Sequence, residues 1–119
     1  MPKIQYYGYN KCGTCRKAAK WLEANGVEYV DEPIVDNPPS QATLKKILAS
    51  GKYELKDLFN KSGVQYRELN MKDKLPTMSK ADAIKLLASN GKLIKRPIVT
   101  DGTNHTVGFK EDDFKATWG

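Results

Sequence analysis

Apolar positions near the start of the chain follow two different spacings. Residues 3–7 are rich in side chains that favour a strand, and residues 27–30 have a similar composition. Residues 14–25, which lie between them, have the composition of a helix with one apolar face, and Asn25-Gly26 is typical of a helix end. This order predicts a β-α-β unit in which the two strands are parallel.

The middle of the chain, approximately residues 38–92, predicts a helical insertion. Ser40 is typical of an N-cap and begins one predicted helix, which Gly51 ends. Ser79, followed three residues later by Asp82, resembles a capping box and begins another helix. The two further predicted helical segments are a short turn over residues 55–59 and an irregular apolar set over residues 64–71.

The last part of the chain returns to strand patterns. Residues 93–100 predict a strand, in which Pro97 must lie at the start or on an edge because it has no N–H group to donate. Asp101-Gly102 begins a turn, and residues 106–109 return as the second strand of a hairpin. The acidic residues 111–113 then open a final helix.

The predicted order is therefore β-α-β, then a helical insertion, then β-β-α. This order predicts an α/β, thioredoxin-like fold with a helical insertion between its halves. At 119 residues the chain is long enough for an ordinary hydrophobic core, so we expect residues 1–119 to form a single domain.

The charge balance adds a prediction about partners. The formal net charge is +6, which suits an acidic protein surface or a small anion. The basic residues are scattered and form no aromatic-plus-basic RNA motif, so direct nucleic-acid binding is not expected. No stretch resembles a signal peptide or reaches membrane-spanning length. We therefore expect a cytoplasmic protein without membrane contact, acting as a monomer.

The only two cysteines form a C-x-x-C segment, Cys12 to Cys15, at the predicted start of the first helix. Unpaired backbone N–H groups and the positive end of the helix dipole favour a thiolate there, and Lys11, Arg16 and Lys17 add positive charge nearby. We predict that Cys12 is the nucleophile. Cys15, one helical turn later, is placed to resolve any adduct on Cys12 as an intramolecular disulfide.

Two other interpretations of the cysteines remain open. A zinc site would need further ligands, and the chain offers only His105 as an imidazole, so no metal site is predicted. His105 is expected to lie in a loop near the hairpin without a catalytic role. The cysteines could also be two inert buried thiols, but the start of a helix is a poor place for an inert C-x-x-C pair. A persistent structural disulfide is unexpected in the cytoplasm, which indicates cycling or sensing cysteines. The redox interpretation is favoured.

Three separated motifs carry a resemblance to a known family. They are YNKCGTCRKA at residues 9–18, LFNKSG and YREL at residues 58–63 and 66–69, and KRPIV with VGF at residues 95–99 and 107–109. Together they resemble the arsenate reductase (ArsC)-related family, on its Spx/MgsR branch, over essentially the whole chain.

The resemblance implies a site as well as a fold. It implies a nucleophile at Cys12, with Cys15 as the resolving residue, an anion-binding arginine at Arg96, and a cis-proline at Pro97 facing the C-x-x-C segment. A guanidinium at that place would stabilise a thiolate and hold an oxyanion. No bound cofactor is implied, and the reductant would be glutathione with glutaredoxin, or thioredoxin. The predicted substrate- and anion-binding residues are Asn10, Lys11, Gly13, Thr14, Arg16, Lys61 and Pro97.

Departures from the family pattern leave two functions open. True arsenate reductases have a serine in place of Cys15 and a second arginine in the middle motif, for which the nearest candidates are Lys61 and Arg67. They also have a third arginine after the position of Arg96, and this sequence has no arginine beyond Pro97. A lysine lacks the bidentate fork that suits a tetrahedral oxyanion, so arsenate reduction is disfavoured. Spx proteins use C-x-x-C as a redox switch and bind the RNA polymerase α subunit, with a glycine close to the position of Gly51. A thiol oxidoreductase and a redox-switched transcriptional regulator are therefore both predicted functions.

Overall fold

The computed structural model describes residues 4–9, 12–61 and 63–119. The chain forms two compact units, of which one contains Met1–Ile34 and Arg96–Gly119, and the other contains Val35–Lys95. The predicted helical insertion lies within the second unit. The assignment of residues 1–119 to a single domain stays a prediction.

The described residues form a mixed α/β structure whose element types follow the predicted order. The strands are β1 (Gln5–Gly8), β2 (Val30–Pro33), β3 (Ile98–Thr100) and β4 (His105–Val107). The α-helices are α1 (Gly13–Ala24), α2 (Gln41–Ala49), α3 (Val64–Glu68), α4 (Met71–Lys74), α5 (Lys80–Ser89) and α6 (Glu111–Trp118). Short 3-10 helices lie at Leu55–Leu58, Leu75–Thr77 and Gly91–Leu93.

The sheet lies in the first unit and has the strand order β2-β1-β3-β4. Strand β1 is parallel to β2 and antiparallel to β3, and β3 and β4 form the predicted hairpin. Strand β1 is central in this sheet, and α1 is the next element along the chain. This is the predicted thioredoxin-like fold.

The core of the first unit joins the sheet to the buried face of α1. Ala18 and Leu22 of α1 are fully buried, and they pack in one cluster with Val99 of β3 and Phe114 of α6. Cys15 belongs to the same cluster and is only 1% exposed. Removing a side chain the size of Leu22 from such a core typically costs about 2–5 kcal/mol of unfolding free energy. The position of Cys15 is therefore fixed by core packing.

The predicted position of the second strand, residues 27–30, is wrong by three residues. The amide of Val27 donates to the carbonyl of Leu22, so residue 27 closes the turn that ends α1. The Tyr29 ring then packs against Tyr6, with 5.2 Å between ring centroids, and pairing with β1 starts at Val30. Strand β2 is an edge strand with mostly exposed, acidic residues, so it lacks the apolar pattern on which the prediction relied.

The third strand is shorter than predicted. Of residues 93–100, only Ile98–Thr100 form β3, because the chain first makes the 3-10 helix Gly91–Leu93 and a single antiparallel bridge from Ile94 to Phe59. Pro97 directly precedes β3, as its missing N–H predicted. The Arg96–Pro97 peptide bond is cis, which confirms the conformation that the family resemblance implied.

Capping residues in the second unit confirm the predicted helix starts. The Ser40 hydroxyl accepts from the amide of Thr43 at 3.2 Å, and the Ser79 hydroxyl accepts from the amide of Asp82 at 3.1 Å. The irregular set over residues 64–71 is helical but divided, because Asn70 has a φ of 55° between α3 and α4. The left-handed conformation breaks the helical ladder there.

Among the residues that the structure describes, none of the helices is both long enough and apolar enough to pass through a lipid bilayer.

Candidate functional site

Cys12 is the N-cap residue of α1. Its backbone is extended, with φ −96° and ψ 120°, and its Sγ accepts a hydrogen bond from the amide of Cys15 at 3.4 Å. Its own amide donates to the carbonyl of Tyr9 at 3.0 Å. Cys12 is half-buried, and both cysteines are free thiols. A sulfur atom therefore takes the place that a serine or aspartate oxygen usually takes at a helix start.

The first turn of α1 favours negative charge at its N-terminus. Helix α1 is described throughout, and its first turn holds no acidic residue. Gly13, Thr14 and Arg16 are exposed there. Unpaired amides and the positive end of the helix dipole stabilise anions at such a position by about 0.3–1 kcal/mol.

Cys15 is placed differently from Cys12. The pKa of its thiol is raised to about 12, mainly by burial and secondly by the hydrogen bond to Cys12. A hydrogen bond from the Tyr9 amide and the positive charge of Arg96 both lower the pKa, but they do not offset burial. Cys15 is thus a protonated thiol at neutral pH, in hydrogen-bond contact with Cys12.

Arg96 contacts the Tyr9 ring and influences the Cys15 thiol. Its Cζ is 5.0 Å from the centroid of the Tyr9 ring, which is cation–π distance, and the side chain is half-buried. In the described part of the chain no carboxylate lies within salt-bridge distance of this guanidinium. The guanidinium is close enough to Cys15 to lower the pKa of its thiol. It is therefore held near the sulfurs without being neutralised.

Two tyrosines contact the site, and no role was predicted for either of them. The Tyr6 hydroxyl donates to the carbonyl of Cys15 at 2.7 Å, and burial raises the pKa of Tyr6 above its usual range, so it remains a donor. Tyr9 stood in the quoted motif, but its residue type alone did not indicate a contact with Arg96. The one sequence signal for the Tyr6 contact was the alternation of side chains along a strand, which directs Tyr6 toward the helix layer.

The other predicted site residues have varied positions. Pro97 is buried at the start of β3, whereas Lys61 is exposed and belongs to the second unit. Asn10 and Lys11 lie outside the described residues. Within the first unit, Cys12 and Cys15 are thus in hydrogen-bond contact, and Arg96 is near enough to Cys15 to influence its pKa. The roles assigned to these residues, and to the other predicted site residues, stay predictions.

The expected loop position of His105 is wrong. His105 begins β4, is 5% exposed, and its Nδ1 lies 2.7 Å from the Thr100 hydroxyl on the neighbouring strand. A hydrogen-bonded core histidine explains this residue without a functional role. Across the part of the chain that the structure describes, no three His, Cys, Asp or Glu side chains form a group able to hold a metal ion.

Comparison with known proteins assigns the chain to a family. The ArsC family model matches residues 7–117. The chain belongs to the ArsC family. It is 52% identical to YusI of Bacillus subtilis over 97% of this chain and 98% of YusI. It is 30% identical to the global transcriptional regulator Spx of Streptococcus pyogenes over 88% of this chain and 77% of Spx, which supports the Spx-like branch.

Solved structures support the same assignment. The crystal structure of an ArsC family related protein from Bacteroides fragilis superposes with a TM-score of 0.89 at 43% identity, covering 96% of each chain. Family membership and the adjacent cysteines together support a thiol redox or Spx-like regulatory role for this member of the ArsC family.

Proposed function

We propose that this ArsC-family protein is a thiol–disulfide oxidoreductase, with Cys12 as nucleophile and Cys15 as resolving residue. The observation that carries the proposal is the position of Cys12 Sγ at the N-terminus of α1, where it accepts the Cys15 amide. Cys12 is partly accessible, whereas Cys15 is buried beneath it. An incoming disulfide therefore meets Cys12 first.

The proposed reaction has two exchange steps. The Cys12 thiolate attacks one sulfur of the substrate disulfide, forms a mixed disulfide, and releases the other sulfur as a thiolate. Cys15 then loses its proton and attacks Cys12 Sγ, and the second substrate thiolate departs and takes up a proton. The substrate gains two electrons, and the protein is left with a Cys12–Cys15 disulfide.

The high pKa of Cys15 suits this order of events. The influence of Cys12 is part of what raises the Cys15 pKa, and it disappears once Cys12 carries no negative charge in a mixed disulfide. The Tyr9 amide and Arg96 continue to lower the pKa of Cys15. Formation of the adduct thus makes the resolving thiol more acidic at the time when it has to attack.

Arg96 would bind the anionic part of the substrate and stabilise the Cys12 thiolate. The guanidinium has five N–H donors and forms no salt bridge within the described residues. The reduced state would be restored by glutathione with glutaredoxin or by thioredoxin. Asn10, Lys11 and Lys61 remain proposed additions to the anion site.

Separate replacement of the two cysteines tests the assignment. We expect Cys12→Ser to abolish alkylation by iodoacetamide at mildly acidic pH, and Cys15→Ser to leave it nearly intact. Cys15→Ser should also accumulate a mixed disulfide with glutathione that the parent protein resolves, visible as a mass increase in intact-protein mass spectrometry. The opposite alkylation pattern would show that nucleophile and resolver are exchanged.

A second candidate function is supported by the similarity to Spx. In this alternative the protein has no turnover, and the Cys12–Cys15 disulfide alters a surface that binds the RNA polymerase α subunit. Gly51 does not strengthen this alternative, because its φ of 77° at the end of α2 already favours glycine. The alternative predicts co-purification with the α subunit only in the oxidised state and no thiol-coupled turnover, and the opposite results favour the oxidoreductase.

A further inference from the structure

Tyr9 contacts every member of the cysteine site through a different group. Its carbonyl accepts from the Cys12 amide at 3.0 Å, its amide hydrogen-bonds the Cys15 sulfur, and its ring lies 5.0 Å from Arg96 Cζ. The ring is partly buried and packs on the cluster that contains Cys15 and Val99. The Tyr9 ring is therefore fixed by the core on one side and meets the arginine on the other.

Arg96 has few other restraints among the described residues. It forms no salt bridge there, and within the described residues it stacks on Tyr9 and acts electrostatically on Cys15. A long flexible side chain without a salt bridge normally samples several rotamers. The Tyr9 ring supplies a surface that favours one of them.

We propose that Tyr9 is a positioning residue that holds the Arg96 guanidinium beside the cysteine pair, and that the site thereby selects anionic over neutral reaction partners. The inference rests on the proposed function only in taking the cysteine pair as the reactive centre. Tyr9 itself forms no bond with the substrate. Its effect passes through Arg96.

Two alkylating reagents of similar size give a direct measure of this selection. Iodoacetate is an anion and iodoacetamide is neutral, and both react with the thiolate. Because the thiolate fraction enters both rate constants equally, it cancels in their ratio. The ratio therefore reports the local positive charge. The measurement is made on the reduced full-length chain at low salt, and peptide mapping identifies the labelled sulfur.

We expect Tyr9→Leu to lower the iodoacetate-to-iodoacetamide ratio by about two- to fivefold, which is the effect of losing one cation–π contact. Arg96→Gln should lower the ratio at least as much. The double variant Tyr9→Leu/Arg96→Gln should show no further decrease relative to Arg96→Gln alone. Tyr9→Phe keeps the ring and should restore the ratio of the parent protein. Added salt should lower the ratio in the parent protein more than in Tyr9→Leu, because less positive charge remains to be screened.

Tyr29→Leu is the matched control. Tyr29 packs against the same core cluster, and its described ring partner is Tyr6, so its replacement removes similar packing away from Arg96. The ratio in Tyr29→Leu should equal that of the parent protein. An equal decrease in Tyr29→Leu and Tyr9→Leu would mean that general loosening lowers the ratio, and the inference would be wrong.

The remaining outcomes separate this inference from the proposed function. An unchanged ratio in Tyr9→Leu overturns the role of Tyr9, whichever sulfur carries the label. Labelling of Cys15 instead of Cys12 overturns the proposed nucleophile but still allows the ratio to be compared. If Tyr9→Leu does not fold, the Arg96 side-chain protons of the parent protein provide the test by NMR. Stacking predicts an upfield ring-current shift relative to the exposed Arg16 and Arg67, and its absence refutes the contact.

Discussion

Replacing Cys15 by alanine should change how protein stability depends on pH. In the folded protein the Cys15 thiol is 1% exposed, and burial raises its pKa from the ordinary 9.0 to about 12. In the unfolded chain the same thiol is solvated and titrates near its ordinary value. Between these two values, the unfolded chain loses a proton that the folded protein retains. Stability from this group is therefore complete below about pH 9 and is lost as the pH rises toward 12.

The expected magnitude follows from the two pKa values. Within the window, each pH unit removes about 1.4 kcal/mol from the free energy of unfolding. Integration from about pH 8 to about pH 10.5 gives a loss of about 2 kcal/mol that is specific to Cys15. Small domains have unfolding free energies of about 5–15 kcal/mol, so a loss of this size is readily measured. Tyr6 titrates in the same direction, but it is present in both proteins.

The assay is urea unfolding of the reduced protein, followed by tryptophan fluorescence at a series of pH values. We expect the parent and Cys15→Ala curves of stability against pH to converge by about 2 kcal/mol between pH 8 and pH 10.5. Ala18→Gly is the control, because Ala18 is buried on the same face of α1 and does not titrate. Its curve should run parallel to that of the parent protein. Parallel curves for Cys15→Ala as well would refute the buried thiol.

Three further substitutions test individual contacts. Gly8→Ala should lower the free energy of unfolding by about 1–3 kcal/mol, because a Cβ at residue 8 would overlap the Tyr6 ring. Urea unfolding measures this loss, and the milder variant Tyr6→Phe serves as the reference. Trp118→Phe should lower the free energy of unfolding by about 1 kcal/mol, because it removes the indole hydrogen bond to the Thr106 hydroxyl at 3.0 Å. A double-mutant cycle with Thr106→Val should show that the two side chains are energetically coupled. Ser79→Ala should lower the free energy of unfolding by about 1 kcal/mol through loss of the α5 N-cap, whereas Ser79→Asp should retain the stability of the parent protein. Equal losses of stability in both variants would exclude capping as the cause.

The sequence predicted the order and type of the elements well, because local signals marked most of their ends. Ser40 and Ser79 are N-caps, and Gly26 and Gly51 follow α1 and α2 with positive φ. Strand β2 was misplaced because an edge strand of mostly exposed residues has no apolar alternation. Its position depends on pairing with β1, which a local pattern does not contain.

The site could be predicted only in part. The C-x-x-C spacing placed both sulfurs at the start of α1, and the family resemblance singled out Arg96. The contact between Arg96 and Tyr9 joins residues 87 positions apart in the sequence, and no spacing rule connects them. His105 was misjudged for a similar reason, because its hydrogen-bond partner Thr100 lies across the hairpin.

The sulfur that caps α1 also makes the helix responsive to chemistry. The amide of Cys15 depends on Cys12 Sγ as its acceptor, at 3.4 Å. A covalent bond at that sulfur weakens its capacity to accept this hydrogen bond. Hydrogen–deuterium exchange at the first turn of α1 should therefore accelerate when Cys12 is modified, so that fraying of this turn records the oxidation state of the protein.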